Sequence, residues 1–133
     1  MRVVLDTNIL ISALIFPGGA PEAVYRLALE GRMELVTSRP LLAELGRILT
    51  DKFGWDPGRA EQAVAQVTRL GAVVEPSETI RVIKEDPADD RVLEAAADGR
   101  AEIIVSGDRH LLRLASWRGI SIRNASAFLG EFE

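Results

Sequence analysis

Apolar residues recur along the chain with two spacings, one typical of strands and one typical of helices. An unbroken aliphatic run ends at Leu5, Asp6 follows it, and residues 9–16 then show the apolar spacing of a helix. A continuous apolar strand is typical of a parallel sheet that is covered on both faces. By the same criteria, the sequence predicts strands at 33–37, 72–74, 102–106 and 119–122, and helices at 21–30, 39–49, 57–70, 87–98, 109–115 and after Asn124.

Strands that alternate with helices in this way predict an α/β fold with a central, mainly parallel sheet of about five strands. No repeat, low-complexity tract or interdomain linker interrupts the pattern, so we expect a single domain over residues 1–133. The segment 75–84 is predicted to be a connector. The alternation of apolar and polar residues at 80–82 within it is consistent with a short additional strand.

Composition narrows the functions that this fold can support. Hydrophobic residues make up 47% of the chain but aromatic residues only 5%, so aliphatic side chains fill the core and base stacking is not expected to dominate recognition. Cysteine is absent, which excludes disulfides, thiolate metal sites and a cysteine nucleophile. Because the sequence shows no signal peptide and no long apolar segment, we expect a soluble, cytoplasmic protein that does not enter membranes.

The balance of charge is acidic. A net charge of −4 argues against a polycationic protein that coats DNA. It is compatible with a nuclease, because a carboxylate cluster that holds cations is itself a concentrated source of negative charge. The distribution of the acidic residues is therefore more informative than their sum.

Four acidic residues fall at positions that a parallel sheet brings to one edge. Asp6 and Asp108 follow strands directly, Asp90 lies in the first turn of a helix, and Glu44 lies on the helix after the second strand. Right-handed crossovers leave the carboxyl ends of the strands on one edge of the sheet, so these side chains are expected to converge. Each also has a structural explanation, as a helix cap, as a charge that offsets a helix dipole or, for Glu44, as a partner of Arg47.

Carboxylates that converge repel each other unless they are protonated, paired with bases or bridged by a cation. A cluster that offers only oxygen ligands favours hard cations such as Mg²⁺ or Mn²⁺. Asp89 competes with Asp90 for a place in such a cluster. A helical count of about 100° per residue puts Asp89 on the apolar side of its helix and Asp90 toward the edge of that side.

The chain carries four segments in order: LDTN at 5–8, Glu44, DPADDRVLE at 86–94 and VSGDR at 105–109. Together they resemble the PIN-domain family, in particular its bacterial toxin-like ribonuclease branch, and the resemblance covers essentially the whole chain. It implies a three-layer α/β/α nuclease fold with acidic ligands around Mg²⁺ or Mn²⁺, and it favours Asp90 over Asp89 because Asp90 precedes the apolar helical segment. Matched by motif, the catalytic and metal-ligand residues are Asp6, Glu44, Asp90 and Asp108, and the supporting residues are Asn8, Ser106 and Asp86.

The same resemblance implies an endoribonuclease that hydrolyses single-stranded or loop RNA and leaves a 5′-phosphate and a 3′-hydroxyl. Arg109, Arg91 and His110 are expected to contact substrate phosphates near the carboxylates. A toxin of this branch would be paired with a small antitoxin protein that covers the acidic pocket, and self-association into a dimer is expected. The loop at 53–55, which contains two aromatic residues, is a candidate contact surface.

Two other functions stay open on the sequence alone. A PIN-like module that binds RNA or protein without cleaving it would carry the same fold and motifs. A phosphoacceptor signalling domain also has acidic residues after its strands, but it needs a late lysine, and the only lysines of the chain are Lys52 and Lys84. Metal-dependent RNA cleavage and copurification with a small protein are the observations that separate these functions.

Overall fold

The computed structural model describes residues 1–132, so Glu133, the last residue of the predicted domain, lies outside the described residues. The described part of the chain forms seven helices and six strands. None of these helices combines the length and the apolar character that crossing a bilayer requires. The strands are β1 (Arg2–Leu5), β2 (Glu34–Ser38), β3 (Gly71–Val74), β4 (Ile103–Val105), β5 (Ser116–Trp117) and β6 (Ile120–Arg123), and the helices are α1 (Thr7–Ile15), α2 (Ala20–Leu29), α3 (Arg39–Asp51), α4 (Pro57–Leu70), α5 (Pro87–Asp98), α6 (Arg109–Leu114) and α7 (Ala125–Glu131).

The six strands form one sheet in the order β3-β2-β1-β4-β6-β5, and every neighbouring pair except β5–β6 is parallel. Strand β1 occupies a central position because residues 3–5 are apolar and almost completely buried. Leu5 of β1 pairs in register with Val105 of β4. This register places the residues that follow the two strands, Asp6 and Ser106, side by side at one edge of the sheet.

Helices cover both faces of the sheet and divide the core into two parts. Successive side chains of a strand point to opposite faces. Val3 and Leu5 of β1 therefore join the core that contains α1, α2, α4 and α7, whereas Val4 joins the core that contains α5 and α6. Helix α3 contributes to both cores, through Leu45 on the first and Leu41 on the second. The expectation of a three-layer α/β/α fold with a mainly parallel sheet is confirmed.

Capping residues account for where several helices begin. The Ser38 hydroxyl accepts a hydrogen bond from the Leu41 N–H at 3.4 Å at the start of α3, and the Asn124 side chain accepts one from the Ala127 N–H at 2.7 Å at the start of α7. Such side chains satisfy N–H groups that have no partner within the helix. The helix starts predicted at these residues agree with the structure.

The sheet has one strand more than the sequence predicts. Strand β5 is only two residues long and pairs antiparallel with β6. The turn between them is tight, with φ of 51° at Arg118 and 79° at Gly119. A left-handed conformation is easy for glycine and uncommon for other residues. A strand this short carries no readable alternation, which is why the pattern of the sequence missed it.

The connector, defined here as residues 75–86 between β3 and α5, contains no strand or helix. The alternation at 80–82 is therefore not a strand, and that expectation is wrong. Ile80 and Ile83 are buried in the core beneath α5. The backbone N–H groups in this region bond to side chains of α5 instead of to a neighbouring strand.

The aromatic loop at 53–55 folds back onto the molecule. Phe53 packs edge-on against Phe16 with 6.5 Å between ring centroids, and the Arg59 guanidinium lies 3.8 Å from the centre of the Trp55 ring. Phe53 and Trp55 are only partly exposed and pack against the first core. These rings therefore take part in packing, and the surface around Phe16 is the more exposed apolar part of this region.

Candidate metal centre

Asp6 lies at the carboxyl end of β1 and is buried, with 4% of its surface exposed. Its carboxylate accepts a hydrogen bond of 2.6 Å from the Ser106 hydroxyl, and that hydroxyl oxygen accepts one of 2.9 Å from the Asp108 N–H. Ser106, itself fully buried, thus links the ends of the two central strands. Its position explains why a small hydroxyl residue follows β4: it orients Asp6 and anchors the backbone of Asp108.

Burial raises the pKa of Asp6 to about 6, because desolvation disfavours its charged form. The hydrogen bond from Ser106 and the nearby Asn8 N–H lower that pKa, while the negative charges of Glu44 and Asp108 raise it. Asp6 therefore ionises near neutral pH in a place already rich in negative charge. The Asn8 side chain, one of the predicted supporting groups, is exposed in the first turn of α1.

Three further carboxylates form what we call the acidic cluster: Asp86, Asp89 and Asp108 each offer an oxygen, and these oxygens lie within 4.8 Å of one another. Asp86 and Asp108 are also N-caps. Asp86 accepts from the Ala88 N–H at 3.0 Å, and Asp108 accepts from the His110 N–H at 2.7 Å. Each cap uses Oδ1, so capping and membership of the cluster coexist in the same residue.

Asp89 is the most perturbed member of the acidic cluster. Only 6% of its surface is exposed, and its Oδ2 atom has no hydrogen-bond partner within residues 1–132. Burial is the main reason that the pKa of Asp89 is raised, to about 8. The carboxyl groups of Asp108, Asp86 and Asp6 raise it further, and a proton on Asp89 would bond to Asp108. A proton on Asp89 relieves this repulsion, and a bound cation would do the same.

Asp90 is not part of the acidic cluster and bonds to the connector, so the geometry favours Asp89 for the cluster, while the ligand role of Asp90 stays a prediction. The Asp90 carboxylate is 3% exposed and accepts hydrogen bonds from the Val82 N–H at 3.0 Å and the Ile83 N–H at 2.9 Å. Neighbouring residues of a helix differ by about 100° in direction, so only one of the two aspartates can face the sheet edge. The placement of Asp89 on the apolar side of α5 was the signal in the sequence that pointed to it.

Glu44 projects from α3 toward the same region and is half-buried. It lies close enough for its charge to raise the pKa of Asp6. The structural alternative, an ion pair with Arg47, is absent from the described residues. Glu44 therefore adds to the negative potential around Asp6 and is not neutralised by a nearby base.

The three residues predicted to contact substrate lie in different surroundings. The Arg91 guanidinium is 2.8 Å from the carboxylate of Glu94, which is buried, and it also bonds to the Ile80 carbonyl at 3.4 Å. Arg91 thus helps to hold the connector, and its contact with substrate stays a prediction. Arg109 is exposed. His110 is half-buried with its Nδ1 atom lacking a partner within the described residues.

The residues at this edge fit a hard divalent cation. The donors are carboxylate oxygens, which Mg²⁺ and Mn²⁺ prefer. The partnerless Oδ2 of Asp89 is a buried acceptor, and such atoms are normally satisfied by a hydrogen bond, water or an ion. Burial raises the pKa values of Asp6 and Asp89, and the charges of neighbouring carboxylates raise them further. A bound cation would offset this repulsion.

Comparison with known proteins agrees with the fold and identifies the family. A relative in Methanocaldococcus jannaschii, named "Uncharacterized protein MJ1680", is 30% identical over 118 residues, which cover 86% of this chain and 75% of that protein. The fold is similar to VapBC2 from Rickettsia felis, solved bound to a DNA fragment from its promoter, with a TM-score of 0.66, 13% identity and coverage of 93% of this chain and 98% of that one. It is also similar to VapBC-1 from nontypeable Haemophilus influenzae, with a TM-score of 0.62, 21% identity and coverage of 95% of this chain and 99% of that one. Residues 2–110 match the family model described as "PIN domain", and the chain therefore belongs to the PIN-domain family.

Proposed function

We propose that this PIN-domain protein is a Mg²⁺- or Mn²⁺-dependent endoribonuclease that hydrolyses RNA phosphodiester bonds. The observation that carries the proposal is the acidic cluster at the carboxyl edge of the sheet, in which a buried carboxylate oxygen of Asp89 has no partner in the part of the chain that the structure describes. Ligands bind at this edge in open parallel α/β sheets. RNA as the substrate is supported by the resemblance of the chain's motifs to the toxin-like branch of the family.

The geometry supports one set of residues as the ones that would hold the cation. We assign Asp89, Asp108 and Asp86 as ligands because their oxygens lie within 4.8 Å of one another. Asp6 and Glu44 add further negative charge around these ligands. In this proposal Asp89 takes the place of Asp90 among the cation ligands. When bound, a divalent cation activates water and neutralises the charge that develops on the phosphate.

Side chains of the protein hold the acidic residues in position, accept a proton and contact the phosphate. Ser106 donates to Asp6 and accepts from the backbone of Asp108, so it fixes the relative positions of two acidic residues. The pKa of Asp6 is raised to about 6, so its carboxylate is largely ionised at neutral pH and is available as a proton acceptor of near-matched basicity. Arg109 and His110 are proposed to contact phosphate from the first turn of α6.

The function is tested by replacing Asp6 with asparagine, which keeps the shape of the side chain and removes its charge. We expect Mn²⁺-dependent cleavage of a labelled single-stranded RNA to fall by about 100-fold or more, since even residues that only support a metal ligand typically cost 10–100-fold. Asp51→Asn, at an exposed aspartate in the last turn of α3, is the matched control and should cleave like the wild type.

Two results would contradict the assignment. Full metal-dependent cleavage by Asp6→Asn, with an activity that follows the protein peak through size-exclusion chromatography so that contaminating nuclease is excluded, would remove Asp6 from the site. Binding of RNA by the wild type without cleavage in Mg²⁺ or Mn²⁺ would favour the non-catalytic binding module instead.

We further infer that the protein is the toxin component of a pair and binds a small antitoxin protein, and that it self-associates as a dimer. Both structural neighbours are named as VapBC assemblies. An apolar groove of about 650 Å³ lies between α3 and α4 and is lined by residues that include Leu42, Ala43, Ala60 and Val64. Apolar grooves of this kind bind the apolar face of an amphipathic helix. One domain over residues 1–133 is part of the same proposal, because both cores share one sheet.

The partner is tested by coexpression with a small protein encoded beside this one. We expect the two to copurify and the exposed groove substitution Ala43→Glu to reduce the captured partner about tenfold or more, because a charge in an apolar interface loses its hydration. Ala127→Glu, at an exposed position of α7 outside the groove, is the control. Equal copurification of the partner with both variants would exclude the groove as the binding surface. The mass of the isolated protein by light scattering would decide between monomer and dimer.

A further inference from the structure

The connector has an irregular backbone, yet side chains of α5 hold it in a single shape. The Ile80 N–H donates to Glu94 at 2.9 Å, and the N–H groups of Val82 and Ile83 donate to Asp90 at 3.0 and 2.9 Å. Both acceptors are buried carboxylates on the same helix. Hydrogen bonds to charged acceptors are stronger than those between neutral groups, so these contacts fix the direction in which each connector side chain points.

Fixing the connector in this way turns two cations outward. Ile80 and Ile83 are buried, whereas Arg81 and Lys84 are exposed. Neither Arg81 nor Lys84 forms an ion pair with an acidic residue within residues 1–132. The neighbouring Arg91, by contrast, is neutralised by Glu94. Arg81 and Lys84 therefore present uncompensated positive charge in a chain whose net charge is −4.

The connector that carries these two cations leads into the acidic cluster. The connector ends at Asp86, which belongs to the acidic cluster, and Lys84 is two residues before it. Arg81, Lys84 and Pro87 line one cleft of about 330 Å³. On the other side of Ile83, a smaller cleft of about 160 Å³ lies against His110 and Arg113 of α6. Cations of the connector and of α6 therefore line clefts next to the two segments that supply Asp86 and Asp108, and each cleft also contains one acidic residue, Asp90 or Glu85.

A carboxylate cluster alone repels a polyanion, so an RNA strand needs cations along its path to reach the site. Contacts to phosphates position a strand without reading its sequence. Proteins that bind single strands commonly combine a positive groove with aromatic side chains for stacking. Aromatic residues are only 5% of this chain, and the clefts are not lined by aromatic residues. Binding along the connector would therefore depend on charge and be independent of base identity.

We propose that Arg81 and Lys84 form a phosphate-binding track that guides single-stranded RNA to the acidic cluster, a role that rests on the proposed ribonuclease function. The track binds phosphates that flank the scissile bond and does not take part in the chemistry. Asp90 and Glu94 act as positioning residues, because they hold the backbone from which both cations project.

The test compares two double variants in Mn²⁺-dependent cleavage of a fluorophore-quencher single-stranded RNA over a series of KCl concentrations. Arg81→Gln with Lys84→Gln is expected to raise KM roughly tenfold at low salt and leave kcat unchanged, since two surface charge contacts are lost. The slope of log KM against log salt should fall by about 1.4, or 0.7 per phosphate contact. Lys52→Gln with Arg69→Gln, which removes two exposed cations from α4 and the loop before it, should behave as the wild type.

Each other outcome has a defined meaning. A wild-type KM and salt slope in the Arg81/Lys84 variant, while the wild type cleaves RNA, would overturn the track and leave the ribonuclease proposal standing. Failure of the wild type to cleave or bind the RNA would overturn both. An equal rise of KM in the control variant would show a general effect of net charge and would also overturn the track. Both connector side chains are exposed, so an unchanged melting temperature verifies that the variant is folded.

Discussion

Replacing Asp89 by asparagine is expected to lower metal-dependent RNA cleavage by about 100-fold or more and, at pH 8 and above, to make the metal-free protein more stable than the wild type. Asp89 offers a buried oxygen that has no partner within residues 1–132, so the substitution removes a carboxylate from the proposed cation site. The same substitution removes a negative charge that Asp108, Asp86 and Asp6 repel. A residue retained for catalysis at a cost in stability commonly behaves in this way.

The sign of the stability change follows from the pKa of Asp89, which burial raises to about 8 from its ordinary value of 3.8. Because the folded state binds this proton more tightly than the unfolded state, the stabilisation is fully present below the unfolded pKa and is lost as pH rises through the folded one. The metal-free wild type should therefore lose stability between about pH 4 and pH 8. Asp6, with its pKa raised to about 6, contributes in the same direction at the lower end of this range.

The measurement is the melting temperature in EDTA from pH 5 to pH 9. The difference between wild type and Asp89→Asn isolates this one group, because the other titrations are common to both proteins. Excess Mn²⁺ should raise the melting temperature of the wild type by mass action and have little effect on the variant. A variant that keeps its cleavage activity, or whose melting temperature follows pH and Mn²⁺ as the wild type does, would show that Asp89 is not a ligand.

Periodicity was sufficient to predict the fold because most elements are long or strongly apolar. The sequence also predicted that Asp6 and Asp108 lie at one edge, because residues that follow parallel strands share that edge. The observed pairing of β1 with β4 agrees with this expectation. Their catalytic roles stay a prediction. Strand β5 could not be read in this way, because two residues do not form a pattern and its pairing depends on the turn at Gly119.

The choice between Asp89 and Asp90 shows where sequence reasoning reached its limit. Both residues lie in the first turn of α5 and both are buried. Which of them faces the sheet edge depends on how α5 is rotated against the sheet and on where the connector crosses it. The connector in turn is held by backbone N–H groups that bond to side chains seven to fourteen residues later. A residue pattern does not encode such contacts, since they form only when the irregular segment packs.

Replacing Asp90 by alanine is expected to lower the free energy of unfolding by about 2–4 kcal/mol, because the N–H groups of Val82 and Ile83 would lose their acceptor and a buried N–H without a partner costs about 1–3 kcal/mol. The connector should loosen, so hydrogen exchange at these two amides should accelerate. KM for RNA should rise more than kcat falls, since Arg81 and Lys84 would no longer be held in position. Urea unfolding, amide exchange and steady-state cleavage measure the three effects.

Asp90→Asn is the matched control, because its amide oxygen still accepts hydrogen bonds while its charge is lost. It should retain more stability than Asp90→Ala and keep the affinity for Mn²⁺, since Asp90 faces the connector and not the acidic cluster. The two neighbouring aspartates are thus expected to respond in opposite ways: removing the charge of Asp89 stabilises the metal-free protein and abolishes cleavage, while removing the acceptor at Asp90 destabilises it. A stable Asp90→Ala protein that no longer binds Mn²⁺ would reverse the assignment of the two residues.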